Sequence, residues 1–332
     1  MKKYKGEACL FLTALIWGSA MIFQKMGMDH IGPFLFGFFR FTIGALVLIP
    51  VILLFSRSSG ADGQGEIAGP EQADEQEQTA GGKPTAGQEM VAGQKPILKD
   101  RTLLIGSLLC GLTQFGGGSF QQVGLVYTTA GKAGFITSLY IVIVPILMIF
   151  LKRRLNLITW AGIFVAVIGL YLLSITEAFT IQLGDGLEIG AAIVYAVQLL
   201  LIDYYAVRTE PLRLAMLQFL VAGILSGLVA VGFETWTVAA IAACMVPILY
   251  TGILEVAAAY TLEIIGQRTT APHVAAIIMS LEALFAAVCG ALFLGEHMSG
   301  REILGCALMM AAFVIVQLAD MIPVGRKGKP SP

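Results

Sequence analysis

Residues 275–296, AAIIMSLEALFAAVCGALFLGE, are apolar throughout except for Glu282 near the middle and Glu296 at the end. At about 1.5 Å of rise per residue, such a stretch matches the roughly 30 Å hydrocarbon core of a bilayer and reads as a membrane helix. A carboxylate at mid-membrane costs about 3 kcal/mol on insertion scales. Glu282 is therefore expected to face protein or a water-lined interior, and it is the first candidate for function.

The rest of the chain extends this reading. Ten apolar segments are predicted, at 6–26, 33–55, 101–125, 132–151, 157–175, 185–206, 212–232, 240–263, 272–294 and 300–319. Only 13% of residues are charged, against about a quarter in a soluble domain, so the expected class is an all-α polytopic membrane protein. The net charge of −1 gives no reason to expect a nucleic-acid partner. Cys9, Cys110, Cys244, Cys289 and Cys306 all fall in apolar segments without metal-ligand spacing and read as small core hydrophobes, so no metal or cofactor is expected. The basic, apolar N-terminus resembles a signal peptide, but its run is long and lacks a small-x-small cleavage site. An uncleaved first helix is expected.

The segment 56–99 is rich in Gly, Gln, Glu and Ala, has no apolar period, and is expected to be a disordered cytoplasmic loop. It separates helices 1 and 2 (1–55) from helices 3–5 (100–176). The second repeat, helices 6–10, follows at 184–320, and a cytoplasmic tail at 321–332. If the N-terminus is cytoplasmic, seventeen of the 21 Lys and Arg fall on the inner side and only Lys25, Lys132 and Arg301 on the outer, with Arg40 inside a helix. That bias places both termini in the cytoplasm of a multi-pass cell-membrane protein.

The two halves repeat. An offset of 142 places Gly124 on Gly266, Thr128 on Thr270, Ser138 on Ser280 and Leu139 on Leu281; upstream, an offset of 178 places Gly6 on Gly184, Trp17 on Tyr195 and Phe41 on Phe219. The long loop accounts for the difference between the offsets. With five helices in each half, the second copy enters the membrane from the opposite side. The expected architecture is ten transmembrane helices in two inverted five-helix repeats, a plan used for alternating access around a midplane site.

Trp17-Gly18, Arg40-Phe41, Ala259-Tyr260, Ser280-Leu281-Glu282 and Gly295-Glu296 occur in an order and spacing that resemble the EamA-type transporters of the drug/metabolite transporter superfamily. The resemblance spans essentially the whole chain outside the long loop. It implies ten helices around a central cavity that carries amino acids, other small metabolites or drugs outward. The chain departs from the family pattern in having Ala283 after the helix 9 glutamate, Arg153-Arg154 at the end of helix 4, and the long loop.

Candidate substrate-binding or coupling residues follow from buried polarity. Glu282 suits a substrate amine or a proton, or alternatively holds helices together by hydrogen bonds. Glu255 and Glu263 lie eight residues apart on helix 8, with Tyr260 between. The 3.6-residue period puts them about 80° apart; Glu255 is expected near the bilayer centre and Glu263 near the inner end, where it can snorkel. Gln114 and Gln121 share a face of helix 3, with Gly118 between them. Arg40 can meet a substrate carboxylate or pair with Glu255 or Glu282. Trp17, Tyr140 and Tyr195 can supply aromatic walls. Gly223 and Gly227 form a close-packing GxxxG motif.

The favoured function is a secondary transporter without catalytic residues. Its expected partners are a small-molecule substrate, the lipid bilayer and, as coupling ions, protons, and its expected state is a monomer or weak homodimer. No GxxxxGK[ST] phosphate loop occurs. The alternative is an integral membrane enzyme acting on a lipid or prenyl substrate. Such an enzyme would call for clustered Asp, His or Asn, whereas His30, His273 and His297 stand apart.

Overall fold

The computed structural model describes residues 2–61, 97–128, 130–153, 155–175, 183–293 and 298–321. Among these, ten helical stretches are long and apolar enough to cross a bilayer: Tyr4–Met28, Pro33–Leu54, Arg101–Tyr127, Ala133–Phe150, Leu157–Ser174, Leu183–Ala206, Pro211–Phe233, Met245–Gln267, Pro272–Cys289 and Gly300–Leu318. They are numbered spans 1–10 in chain order, and each coincides with a predicted segment. Capping explains several starts. Asp100 and Asn156 accept backbone N–H bonds from Leu103 (3.1 Å) and Thr159 (2.6 Å), and Glu210 caps span 7 ahead of Pro211. Span 2 is capped from elsewhere in the chain: the Glu234 carboxylate, just past span 7, accepts from the N–H groups of Phe34 (2.9 Å) and Leu35 (2.8 Å).

Three features differ from the sequence expectation. The helix of span 2 continues to Ala61, and Ile97–Lys99 form a 3₁₀ turn, so both ends of the expected loop are helical; residues 62–96 lie outside the described residues. Spans 4 and 9 are each two helices rather than one, broken at Leu139 and Leu281. Finally, Thr251–Tyr260 of span 8 is a π-helix, so the angle expected between Glu255 and Glu263 from a 3.6-residue period does not apply. The wider turn leaves the Ala259 carbonyl accepting from Thr13 Oγ1 (2.9 Å) on span 1.

The breaks have a common local cause. The Leu139 N–H bonds the Ile136 carbonyl (3.1 Å) and the Leu281 N–H that of Ile278 (3.2 Å), both three residues back, so each helix tightens into a 3₁₀ turn before restarting. At the second break the Ser280 hydroxyl also donates to the Ile277 carbonyl (2.8 Å), competing with the helical ladder.

Helix pairing follows the repeat. Span 2 packs on span 7 and span 5 on span 10, each a pair of equivalents. Span 1 packs on span 8 as span 6 packs on span 3, and span 1 lies against span 9 as span 6 lies against span 4. The first of these crossings is held by matching glycines. A Cβ on Gly6 would sit 2.8 Å from the Gly266 carbonyl oxygen, and one on Gly184 would sit 2.8 Å from that of Gly124, so any larger residue would part the helices. Large apolar side chains such as Phe164, Leu228, Val231 and Phe233 remain exposed on the outside, a surface suited to lipid. The five cysteines are free thiols, and Gly223 and Gly227 pack against Thr42 and Phe38 of span 2.

Candidate functional site: a central cavity on the repeat axis

A cavity lies between the two halves, lined by side chains from spans 1, 3, 4, 6, 8 and 9. Most of its wall consists of repeat-related pairs. Trp17 with Tyr195 and Met21 with Leu199 are related by the offset of 178, and Gln121 with Glu263, Thr137 with Met279, and Tyr140 with Glu282 by 142. Gln24, Gln198, Glu255 and Tyr260 complete it. A cavity built from equivalent residues sits on the axis that relates the repeats, the usual place of a binding site in folds built from inverted repeats.

The chemistry of the wall is not symmetric. All three carboxylates, Glu255, Glu263 and Glu282, come from the second half, and all are under 10% exposed. Glu282 begins the second helix of span 9, directly after the break, and accepts from Ser138 Oγ (3.3 Å) at the equivalent break of span 4. Gly18 of span 1 lets this corner close: a Cβ there would meet the Glu282 carbonyl oxygen at 2.5 Å.

Glu255 lies in the π-helix and is neutralised locally. Arg40 Nη1 (2.9 Å) and Gln24 Nε2 (2.9 Å) both donate to its Oε1, and Gln122 Nε2 donates in turn to Gln24 Oε1. Arg40 is 1% exposed, with its guanidinium over the rings of Phe41 (4.7 Å) and Phe36 (5.8 Å). Of the two partners expected for Arg40, the structure selects Glu255.

Glu263 departs from its expected role at the inner end. It is 3% exposed, faces the cavity and accepts from Gln267 Nε2 (2.8 Å), so it does not snorkel into water.

The aromatic residues gather as the sequence suggested. The ring of Trp17 lies 4.7 Å from that of Tyr260, which meets Phe219 at 5.8 Å, and Tyr195 Oη donates to Gln121 Oε1 (3.1 Å). Trp17 Nε1 and Tyr140 Oη are buried without a hydrogen-bond partner among the described residues. Unsatisfied donors on residues that line a cavity suit a solute that can accept from them. Gln114 sits behind the wall, accepting from Gln198 Nε2 (2.6 Å), and Gly117 and Gly118 admit the Tyr195 ring and Arg40.

Seven of the nine predicted residues therefore line the cavity: Glu282, Glu255, Tyr260, Gln121, Trp17, Tyr140 and Tyr195. Arg40 and Gln114 act one layer out. Sequence reasoning undervalued Glu263, whose pairing with Gln121 was already visible, and missed Gln198 and Thr137. Residues 294–297 and Arg154, with Gly295-Glu296 among them, lie outside the described residues. Among the described residues, no cluster of His, Cys, Asp and Glu is arranged to hold a metal ion.

Ten membrane helices around an axial polar cavity define a membrane transporter. The model of the EamA-like transporter family matches residues 4–67, 90–175 and 182–318, and the chain belongs to that family, and so to the drug/metabolite transporter superfamily. An uncharacterized transporter of Archaeoglobus fulgidus is 29% identical over 324 residues, covering 96% of this chain and 87% of the relative. A protein of known crystal structure aligns with a TM-score of 0.70 at 18% identity, over 96% of this chain and 99% of its own, a likeness of fold alone.

Proposed function

We propose that the protein is a secondary transporter that moves amino acids or related amine-bearing polar solutes outward by alternating access, with the central cavity as its binding site. The observation that carries this reading is the charge of the cavity. Three buried carboxylates face it and the Arg40 guanidinium offsets one, leaving Glu263 and Glu282 to attract a substrate ammonium or protons. The rings of Trp17 and Tyr260 add a face that favours cations. The unpartnered indole N–H of Trp17 suits an acceptor on the same solute.

In this reading both termini are cytoplasmic, the protein works as a monomer or weak homodimer, and protons accompany transport. Counterflow in proteoliposomes tests it with a panel of radiolabelled amino acids and short-chain organic amines. Trans-stimulated uptake of at least one amine-bearing solute is expected. Uptake equal to that of protein-free vesicles across the panel would overturn the reading.

A further inference from the structure

The cavity wall has a polar route leading out of it, carried by spans 4 and 6 and not by their repeat equivalents, spans 9 and 1. The break in span 4 places two hydroxyls side by side. Ser138 donates to Glu282, and Thr137, which lines the cavity, donates to Glu188 Oε2 (2.5 Å) on span 6. Glu188 is fully buried, and its other oxygen, Oε1, has no partner among the described residues. One turn nearer the start of the span, on the same face, Asp185 is 2% exposed and accepts from Thr128 Oγ1 (2.8 Å). Span 6 begins at Leu183, so Glu188 lies about 7 Å from the helix end by the helical rise.

Hydroxyls and carboxyls therefore run from the central Glu282 to the end of a membrane helix. The equivalent interface, between spans 9 and 1, has no such route among the described residues. The counterparts of Thr137 and Glu188 are Met279 and Leu10, and the Ser280 hydroxyl is turned back on the Ile277 carbonyl.

We infer that Thr137, Glu188 and Asp185 form a proton path connecting the cavity carboxylate Glu282 with the aqueous phase at the start of span 6, separate from the route taken by the solute. The inference rests on the proton-coupled reading of the cavity. A proton from water binds the Asp185 or Glu188 carboxylate. Protonated Glu188 then gives its proton to the Thr137 oxygen, as the Thr137 hydroxyl proton leaves on the cavity side. The Ser138 oxygen takes up that proton as its own hydroxyl proton passes to the Glu282 carboxylate; one proton enters, one arrives, and no bond between heavy atoms changes.

The groups facing Glu188 fit this role. Span 4 presents Thr137, span 3 presents the backbone of Gly124 against the Glu188 carboxyl, and span 6 itself adds Asp185, which is held by Thr128 of span 3, and Tyr195. Lys25 of span 1 is engaged with the Leu125 carbonyl (2.9 Å). A buried carboxyl whose only hydrogen bond among the described residues is to a cavity hydroxyl has little structural use, since an apolar residue, Leu10, stands at the equivalent position of span 1.

Infrared spectroscopy of the full chain in lipid, after a rapid drop in pH, tests the path without a substrate. The carboxylic C=O band of Glu282 is identified as the band lost in Glu282→Gln. In Glu188→Gln that band should reach the same final amplitude, but more slowly by about tenfold or more, the scale expected for a lost proton-transfer group. Asp185→Asn should slow it in the same direction, which keeps the test available if one variant folds poorly. Wild-type rates in both variants would overturn the path, as would a Glu282 band that never responds to pH. Absence of solute flux in counterflow would refute the transport reading alone and leave this result standing.

Discussion

Leu139 and Leu281, 142 positions apart, share one backbone conformation, with φ and ψ of −62° and −8° in the first and −63° and −8° in the second. Both stand at the break of a membrane span, and the residue after each, Tyr140 or Glu282, lines the cavity. The repeat is thus preserved at the level of a dihedral angle, while the side chains delivered by the two breaks have diverged.

That break depends on the close approach of span 1. Gly18→Ala should destabilise the protein by about 1–3 kcal/mol, the usual cost of overpacking, because the new methyl meets the Glu282 carbonyl and Phe285. Gly186→Ala, on a helix with nothing within 4 Å of the added atom, should be neutral or stabilising. Thermal unfolding in detergent checks the pair, and equal Tm shifts would show that the contact does not matter.

Removal of one partner of the Arg40–Glu255 pair leaves a buried charge alone. Arg40→Met and Glu255→Met should each cost about 3–5 kcal/mol, the range measured for soluble proteins, and the double variant should cost less than the sum of the two. A double-mutant cycle on unfolding measures the coupling; strict additivity would mean that the 2.9 Å contact carries no energy.

Trp17 should report occupancy of the cavity. Its indole N–H has no partner among the described residues and its ring packs against that of Tyr260, so a transported solute should change its fluorescence, and Trp17→Phe should abolish the change while Trp160 and Trp236 remain. The same variant should raise KM by a few-fold to about tenfold, the scale of one hydrogen bond. A ligand response that survives Trp17→Phe would place the solute elsewhere.

The distribution of basic residues predicts topology. Cysteines introduced at Arg213, in the first turn of span 7, and at Arg301, at the start of span 10, should react with a membrane-impermeant maleimide from opposite sides, Arg301→Cys from outside intact cells. Labelling of Arg213→Cys from outside would invert the orientation.

The fold was legible in the sequence because membrane spans announce themselves by length and apolarity, and because Gly6, Gly124, Gly184 and Gly266 recur at fixed offsets. The cavity was legible where a polar residue is costly in lipid, as with Glu255 and Glu282. What periodicity could not show was local departure from an ideal helix. The π-turn at Thr251–Tyr260 and the 3₁₀ breaks at Leu139 and Leu281 bring Glu263 inward and turn Thr137 and Ser138 toward two different carboxylates. Glu188 was passed over because its significance lies in a partner 51 residues away, across a helix interface.

The central claim is that Glu282 binds the transported solute or its coupling proton. Counterflow by wild type and Glu282→Gln, reconstituted at equal protein and with equal thermal stability, tests it most directly. The account predicts that wild type exchanges an amine-bearing solute and that Glu282→Gln loses nearly all of that flux or its response to a pH gradient. A variant that keeps both would reduce Glu282 to a structural tie between two broken helices and contradict the account.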